Sequence, residues 1–138
     1  HTEAVVIAEF WAQYMAESVR PILVGFFNSQ YDVPLLIRRA QLLGIEHPQF
    51  DLGRYQHPDV LDVAQVLTFN WHPQIKAHSL DFYAKRFGVP HDDTFKGADV
   101  AQAAKDGRWD AITEHCRQDV TATFLLAQRL GLLGSWTT

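Results

Sequence analysis

The chain has 138 residues, which suits one domain, and its 47% hydrophobic and 20% charged residues are typical of a globular protein. A formal charge of −4 argues against a non-specific nucleic-acid coat, which usually carries a basic stripe, but it does not exclude a nuclease, whose metal site needs local carboxylates. No apolar run approaches the roughly 18 residues that span a bilayer, and the single Cys116 excludes an internal disulfide, so we expect no membrane association and a cytoplasmic location.

The first segment predicts a helix followed by a strand. Residues 3–19 are rich in Ala and Glu and contain neither Gly nor Pro, which favours a helix. The run "ILVGFF" after Pro21 is a short continuous apolar segment of the type found in buried strands. The residues with helical spacing in the first segment are Ile7, Trp11, Tyr14 and Met15.

A second helix follows this strand. The residue before a proline is pushed out of the helical region, so Val33 marks the boundary and Pro34 is the expected first helical residue. The helix is expected to run to about Leu43 and to end at Gly44. Further on, the segment "DVLDVAQVL" is ambiguous between a short strand and a helix.

The second half of the chain predicts three helices. Ser79 is a good N-cap for "LDFYAKRF", and Gly88 supplies the stop signal. Asp99 can cap a brief helix that runs to residue 105, and a long helix is expected from about Trp109 to Arg129. An apolar stripe is predicted along this last helix, formed by Ile112, Cys116, Val120, Phe124 and Ala127.

The chain shows no repeat, linker or low-complexity tract, so a single domain spanning residues 1–138 is the expectation. The element order is short of strands for an α/β protein. One or two strands do not form a stable sheet alone. The pattern therefore suggests that sheet partners are missing on the N-terminal side or are supplied by another chain.

Asp32 has two interpretations. It could cap the second helix, although Val33 and Pro34 place it one residue too early for that role if the predicted boundary is right. It also follows a buried strand, and open α/β sheets place their sites at the carboxyl ends of the strands. Asp32 is therefore a candidate for both a cap and a functional acid.

His115 and Asp119 form a second candidate pair on the last helix. They are four residues apart, so their side chains share a face. The simpler interpretation is an exposed polar pair. The functional interpretation is a carboxylate that binds a metal ion beside a histidine that can take a proton from water near neutral pH.

Together these segments resemble a known family. "LVGFFNSQYDVPLLIRRA" is similar to the second motif of the DEDD 3′–5′ exonucleases of the RNase H-like superfamily, in which Asn-x3-Asp follows a strand and opens a helix. "SLDFYAKRFGVP", "KGADV" and "WDAITEHCRQDVTATFLLAQRL" resemble the region through the third motif. The similarity extends over nearly the whole chain and points to predicted exonucleases related to the proofreading domain of family B polymerases.

The resemblance implies a set of roles. Asp32 and Asp119 correspond to acids that bind Mg²⁺ or Mn²⁺, and His115 corresponds to the residue that orients the attacking water. Asn28 would shape the same strand end and contact the substrate. The implied substrate is the 3′ end of single-stranded DNA or RNA, cleaved with two divalent ions.

The chain departs from the family pattern in two ways. Family third motifs have Tyr with three intervening residues or His with four, whereas His115 lies three intervening residues before Asp119. The first motif, Asp-x-Glu, supplies two of the four ligands and is absent from the sequence. The chain therefore resembles the family fold without its first three strands, and we expect little or no nuclease activity from it.

The segment "HPDVLD" carries further polar residues. His57, Asp59 and Asp62 resemble a His-x-Asp segment that lies between the family's motifs. Turn and cap roles are the favoured interpretation of these residues.

The sequence thus predicts an α/β protein with an N-terminally truncated RNase H-like exonuclease fold, rich in helices and holding one or two strands. Unpaired strand edges and uncovered apolar helix faces favour a homo-oligomer. Two functions are in play: a 3′–5′ exonuclease domain that is weak or inactive, and a non-catalytic remnant that serves as an interaction or nucleic-acid-binding module.

Overall fold

The computed structural model describes residues 2–52, 59–92 and 94–134, and these form six helices and two strands. They divide between two compact units, His1–Ile75 and Lys76–Thr138. The single-domain interpretation stays a prediction. In chain order the elements are α1 (Glu3–Ala16), β1 (Leu23–Gly25), α2 (Asp32–Leu43), β2 (Val60–Asp62), α3 (Val63–Leu67), α4 (Leu80–Phe87), α5 (Gly97–Lys105) and α6 (Trp109–Arg129).

Helix α1 provides the core of the first unit. Ile7, Trp11 and Tyr14 recur at helical spacing, are buried, and pack against Ala40 of α2. Trp11 is fully buried, and its ring meets those of Phe10 and Tyr14 edge-on. The aromatic face of α1 therefore fixes how α1 and α2 pack together.

The prediction that α1 extends to residue 19 was wrong. The helix ends at Ala16, Glu17 is already extended, and Met15 is exposed rather than part of the buried face. The Tyr14 hydroxyl donates a hydrogen bond to the Pro21 carbonyl oxygen at 2.9 Å, which holds the chain where it turns toward β1.

Strands β1 and β2 lie side by side and run parallel, with Leu23 opposite Val60 and Gly25 opposite Asp62. Helix α2 lies between them in sequence, as the connection of two parallel strands requires. The ambiguous segment "DVLDVAQVL" forms both elements, since strand β2 passes directly into helix α3. The expected α/β class with one or two strands is confirmed, and the carboxyl ends of both strands lie at the same edge.

The predicted start of α2 at Pro34 was wrong, because the helix begins at Asp32. The loop before it already has helical hydrogen bonds: the N–H of Tyr31 donates to the Phe27 oxygen, and the N–H of Val33 donates to the Asn28 oxygen. Pro34 is tolerated because a first-turn residue needs no intrahelical N–H partner. The predicted end is confirmed, with Gly44 in the left-handed conformation.

The second unit consists of α4, α5 and α6, and both α4 and α5 pack against α6. The Ser79 cap is confirmed, since its Oγ accepts the Phe82 N–H at 3.3 Å. Asp99 was wrongly predicted as the cap of α5. It lies inside the first turn, where its carboxylate accepts the N–H of the capping residue Lys96 at 2.9 Å.

The predicted limits of α6 are confirmed, but the predicted apolar stripe is not the buried face of the helix. Cys116, Val120 and Phe124 are exposed. The buried residues of α6 are Ala122, Thr123, Leu126 and Ala127. Small side chains on this face allow α4 and α5 to approach closely. The buried face of α6 therefore depends on its packing partners, and periodicity alone did not identify it.

The helices within the described ranges include none with the length and apolar composition that a membrane crossing requires.

Replacing Trp11 by Ala should lower the free energy of unfolding by about 3–5 kcal/mol, because the change leaves a large cavity in the core of the first unit. Trp109→Ala is a matched control, since Trp109 is 62% exposed and its loss should cost less than about 1 kcal/mol. Urea denaturation followed by circular dichroism measures both. Equal losses for the two variants would contradict the assignment of Trp11 to the core.

Candidate functional site

The carboxylate of Asp62 organises the carboxyl edge of the two strands. Asp62 is 2% exposed. Its Oδ1 accepts the N–H groups of Ala64 and Gln65 at 3.0 and 3.3 Å and so caps α3. The cap role predicted for Asp62 is therefore confirmed, while His57 lies outside the described residues.

The same carboxylate also holds the loop after β1. Asp62 Oδ1 accepts the N–H of Phe27 at 2.9 Å. Asp62 Oδ2 accepts the N–H of Ser29 at 3.1 Å and the Ser29 hydroxyl at 2.6 Å. A single buried acid thus joins the end of β2, the start of α3 and the loop that leads to α2.

Asn28 lies in the loop after β1, at the carboxyl edge of the two strands. It is 5% exposed, and its Nδ2 donates to the Leu23 oxygen at 3.1 Å. A side chain on Gly25 would place its Cβ 2.5 Å from the Asn28 Cβ, so Asn28 packs directly on the glycine backbone. Its Oδ1 is buried and has no hydrogen-bond partner within the described ranges. The hydrogen-bonding capacity of that oxygen is therefore unused within the described residues.

Asp32 lies in the first turn of α2 and is exposed. Although the residue as a whole is exposed, the surroundings of its carboxyl group exclude enough water to raise its pKa by desolvation. A hydrogen bond from its own backbone N–H opposes this effect, and the negative charge of Asp62 adds to it. In the part of the chain that the structure describes, no cation is paired with Asp32, so its negative charge is poorly compensated.

Asp119 has a different environment in the second unit. Its Oδ1 lies 3.0 Å from Nε2 of His91, whose side chain is 6% exposed. The other ring nitrogen of His91, Nδ1, lies 3.4 Å from Oδ1 of Asp81. Asp81 also pairs with Lys85 at 2.6 Å. One imidazole therefore bridges two carboxylates.

Burial alone would lower the pKa of His91, because it disfavours the charged ring. The hydrogen bonds to Asp119 and Asp81 outweigh burial, and the pKa of His91 is raised. The charged ring can donate from both nitrogens, which matches its position between two acids.

His115 faces the same acid from one turn earlier on α6. Its Nε2 lies 3.6 Å from Asp119 Oδ2, which is the range of an ion pair but longer than a hydrogen bond. Its ring packs at a tilt against Phe95, with centroids 5.2 Å apart. Its Nδ1 is buried without a partner among the described residues. As predicted from their spacing, His115 and Asp119 share a face.

The structure brings the predicted residues together in two groups. Asn28 and Asp32 lie with Asp62 in the first unit, and His115 and Asp119 lie with His91 in the second. A role for His91 was not predicted, because its contact with Asp119 joins positions 28 residues apart. No local sequence pattern marks this long-range contact.

Divalent ions fit the donor chemistry of these acids. Carboxylate oxygens are the preferred ligands of Mg²⁺ and Mn²⁺, and a poorly compensated acid such as Asp32 gains from a nearby cation. Asp119 is oriented by a hydrogen bond, as ligating carboxylates usually are. The described residues contain no group of three or more His, Cys, Asp or Glu arranged to hold a metal ion.

The helix-rich α/β fold with two parallel strands is consistent with an exonuclease-like domain. A family model described as a predicted 3'-5' exonuclease related to the exonuclease domain of PolB matches residues 1–135. The chain belongs to this family, as the resemblance of its second and third motifs predicted. No curated protein gives a significant match to the chain.

Replacing Asp62 by Asn should lower the free energy of unfolding by about 2–3 kcal/mol, because charge-assisted hydrogen bonds are lost from a buried site. The new amide would also point donor hydrogens at the Ser29 N–H or the Phe27 N–H. Asp110→Asn is the control, since Asp110 is exposed in the first turn of α6 and its change should cost at most about 1 kcal/mol.

Urea denaturation measures both carboxyl-to-amide changes. If Asp62→Asn were no less stable than Asp110→Asn, the anchoring role of the Asp62 carboxylate would be wrong.

Proposed function

We propose that the chain is a metal-dependent phosphodiester hydrolase domain that acts on the 3′ end of single-stranded DNA or RNA. The observation that carries this proposal is the position of Asp32. It is an exposed acid at the carboxyl edge of two parallel strands, its pKa is raised, and the buried Asp62 adds negative charge beside it. Membership of the 3'-5' exonuclease family supports the reaction class.

In this proposal Asp32 and Asp119 are the acids that bind Mg²⁺ or Mn²⁺. When bound, such ions activate water and stabilise the leaving 3′ oxygen during phosphodiester cleavage. Asp119 is held for this role by the His91 imidazole on Oδ1, and the imidazole is held in turn by Asp81. The protein thus orients the carboxylate of Asp119 and leaves the negative charge of Asp32 poorly compensated.

His115 is the proposed water-orienting residue, and Asn28 is the proposed substrate contact. His115 Nε2 lies near the second oxygen of Asp119, so its ring can share a water molecule with that carboxylate. The Asn28 Oδ1 is buried and has no hydrogen-bond partner among the described residues, and it is the atom we propose for this contact. Both roles are implied by the resemblance to the family, in which Tyr has the spacing that His115 has here.

The number of ligands limits the expected activity. The sequence contains no Asp-x-Glu pair, which the family pattern uses for two further ligands. Magnesium keeps its waters unless charge and geometry favour exchange, so two acids should bind it weakly. Weak hydrolysis is therefore expected, and the alternative is a non-catalytic module that binds nucleic acid or another protein.

A homo-oligomer is also part of the proposal. The apolar stripe of Cys116, Val120 and Phe124 on α6 is exposed, and a second copy of the chain would remove it from water. The cytoplasmic location stays a prediction.

Sedimentation velocity tests the oligomer. We expect a dimer that Phe124→Asp converts to a monomer, because a charge replaces the largest exposed apolar side chain of the stripe. The exposed Leu42 on α2 offers a matched control, and Leu42→Asp should leave the dimer intact. A wild-type chain that sediments as a monomer would contradict the proposal.

The nuclease proposal is tested with 5′-labelled single-stranded DNA and RNA in Mg²⁺ or Mn²⁺ and in EDTA. We expect weak shortening from the 3′ end that needs the metal and falls at least about 10-fold in Asp32→Asn and Asp119→Asn, because each change removes a metal ligand. Asp110→Asn keeps the same net charge as these variants and should retain the wild-type rate.

Metal-dependent shortening that survives both ligand changes would show that these acids are not the ligands. Wild-type protein no more active than Asp119→Asn would favour the non-catalytic module.

A further inference from the structure

The connection between α4 and α5 places an aromatic side chain against the candidate residues of α6. Phe95 lies in this connection, two residues before α5 begins at Gly97. It is half-buried, and its ring packs against that of His115 with centroids 5.2 Å apart and planes 52° apart. Because Phe95 has no polar side-chain atom, it can influence His115 only through the position of the ring and the exclusion of water.

The same connection contacts α6 at two successive turns. Near its start, His91 Nε2 lies 3.0 Å from Asp119 Oδ1. Near its end, Phe95 packs on His115, which precedes Asp119 by one turn. The carboxylate is therefore held by a polar contact and the imidazole by an apolar one, and both contacts come from one short segment.

Phe95 is itself held against the start of α6. The guanidinium carbon of Arg108, the residue that caps α6, lies 6.0 Å from the centroid of the Phe95 ring. This distance is at the outer limit of a cation–π contact. The ring of Phe95 thus contacts both the capping residue of α6 and a residue of its second turn, which fixes the ring relative to His115.

The two ring nitrogens of His115 have different surroundings. The side chain is 14% exposed, and Nε2 lies 3.6 Å from Asp119 Oδ2. Nδ1 is buried and has no hydrogen-bond partner among the described residues. A neutral imidazole carries a proton on one nitrogen and a lone pair on the other, so the two surroundings determine which nitrogen is protonated.

Both surroundings favour the proton on Nε2. A lone pair on Nε2 would face a carboxylate oxygen and be repelled by it, whereas an N–H there is attracted. An N–H on Nδ1 would be buried without an acceptor, which is rarer in proteins than an acceptor left without a donor. The neutral ring therefore has its N–H beside Asp119 and its lone pair on the buried side.

This arrangement limits what the ring can do chemically. An N–H on Nε2 can donate a hydrogen bond to a water or phosphate oxygen beside Asp119. The neutral ring cannot take a proton at that position, because its free lone pair is on Nδ1. General-base catalysis through Nε2 would require the opposite tautomer.

We propose that Phe95 is a positioning residue that keeps water away from Nδ1 of His115, so that the ring acts beside Asp119 as a hydrogen-bond donor and not as a base. This inference rests on the proposed function, in which His115 orients the attacking water. Phe95 acts through His115 and contacts neither the water nor the nucleic acid.

Long-range ¹H–¹⁵N correlation spectra of the full chain test the proposal without metal or substrate. At alkaline pH, where a neutral imidazole is expected, the shifts of the two ring nitrogens show which one carries the proton. His115→Gln identifies the His115 signals among those of the seven histidines. We expect a protonated Nε2 and an unprotonated Nδ1 in the wild type. In Phe95→Ala the two shifts should move toward each other, because water reaches Nδ1 and the second tautomer becomes populated.

Two further variants separate this effect from a general loss of packing. Phe82→Ala is the matched control, since Phe82 is also half-buried and stacks on a different histidine, His78, with centroids 3.9 Å apart. It should shift the His78 signals and leave those of His115 unchanged. Phe95→Leu keeps an apolar cover over His115, so its His115 signals should stay close to those of the wild type.

A wild-type His115 with its proton on Nδ1 would overturn the proposal, and so would the absence of a nuclear Overhauser contact between the rings of Phe95 and His115. Neither measurement requires a variant to fold. Unchanged His115 nitrogen shifts in a Phe95→Ala chain whose circular dichroism matches that of the wild type would also overturn it.

These outcomes are distinct from failure of the nuclease proposal. In an active chain, Phe95→Ala should lower kcat by about 10- to 100-fold with little change in KM, because the ring that orients the water is misplaced. A chain with the expected spectra that cleaves nothing would refute the nuclease and keep the placement of His115. Cleavage that needs Asp119 but is as fast in a folded Phe95→Ala as in the wild type would refute the positioning role alone.

Discussion

The hydrogen bonds of the Asp62 carboxylate are the interaction on which the first unit depends. A buried charge is costly unless it is fully hydrogen-bonded, and Asp62 accepts N–H groups from both α3 and the loop after β1. Because each of the two strands is only three residues long, the hydrogen bonds between them constrain the position of the strands and loops only weakly. The hydrogen bonds of Asp62 therefore hold the carboxyl edge of the sheet together, a role that a longer ladder has in longer strands. They also determine where the loop leaves this edge.

Two properties of the candidate site follow from this one anchor. The hydrogen bond to the Phe27 N–H stabilises a left-handed residue, a conformation that costs about 1–3 kcal/mol, and so directs an aromatic ring toward Trp71. The negative charge of the same carboxylate contributes to the raised pKa of Asp32. The backbone strain at Phe27 and the poorly compensated charge at Asp32 thus both depend on the buried residue Asp62.

Local signals predicted those parts of the structure that local hydrogen bonds determine. The limits of α4 and α6 and the end of α2 follow from caps and glycines within a few residues. The start of α2 was misplaced because the loop carbonyl of Asn28 extends the helical hydrogen bonding. The buried face of α6 and the role of His91 depend on distant segments, and spacing along the chain does not encode them.

The two candidate acids, Asp32 of the first unit and Asp119 of the second, differ in their electrostatic environments. The carboxylate of Asp119 is paired with His91 and is therefore well oriented. Its negative charge is partly compensated by this imidazole, whose pKa is raised. Asp32 has no such partner in the described part of the chain, and the nearby charge of Asp62 favours any cation that binds there. In the proposed function, Asp32 therefore attracts a cation through poorly compensated charge, whereas Asp119 offers an oriented carboxylate, and oriented ligands define coordination geometry. Loss of either acid should impair binding for a different physical reason.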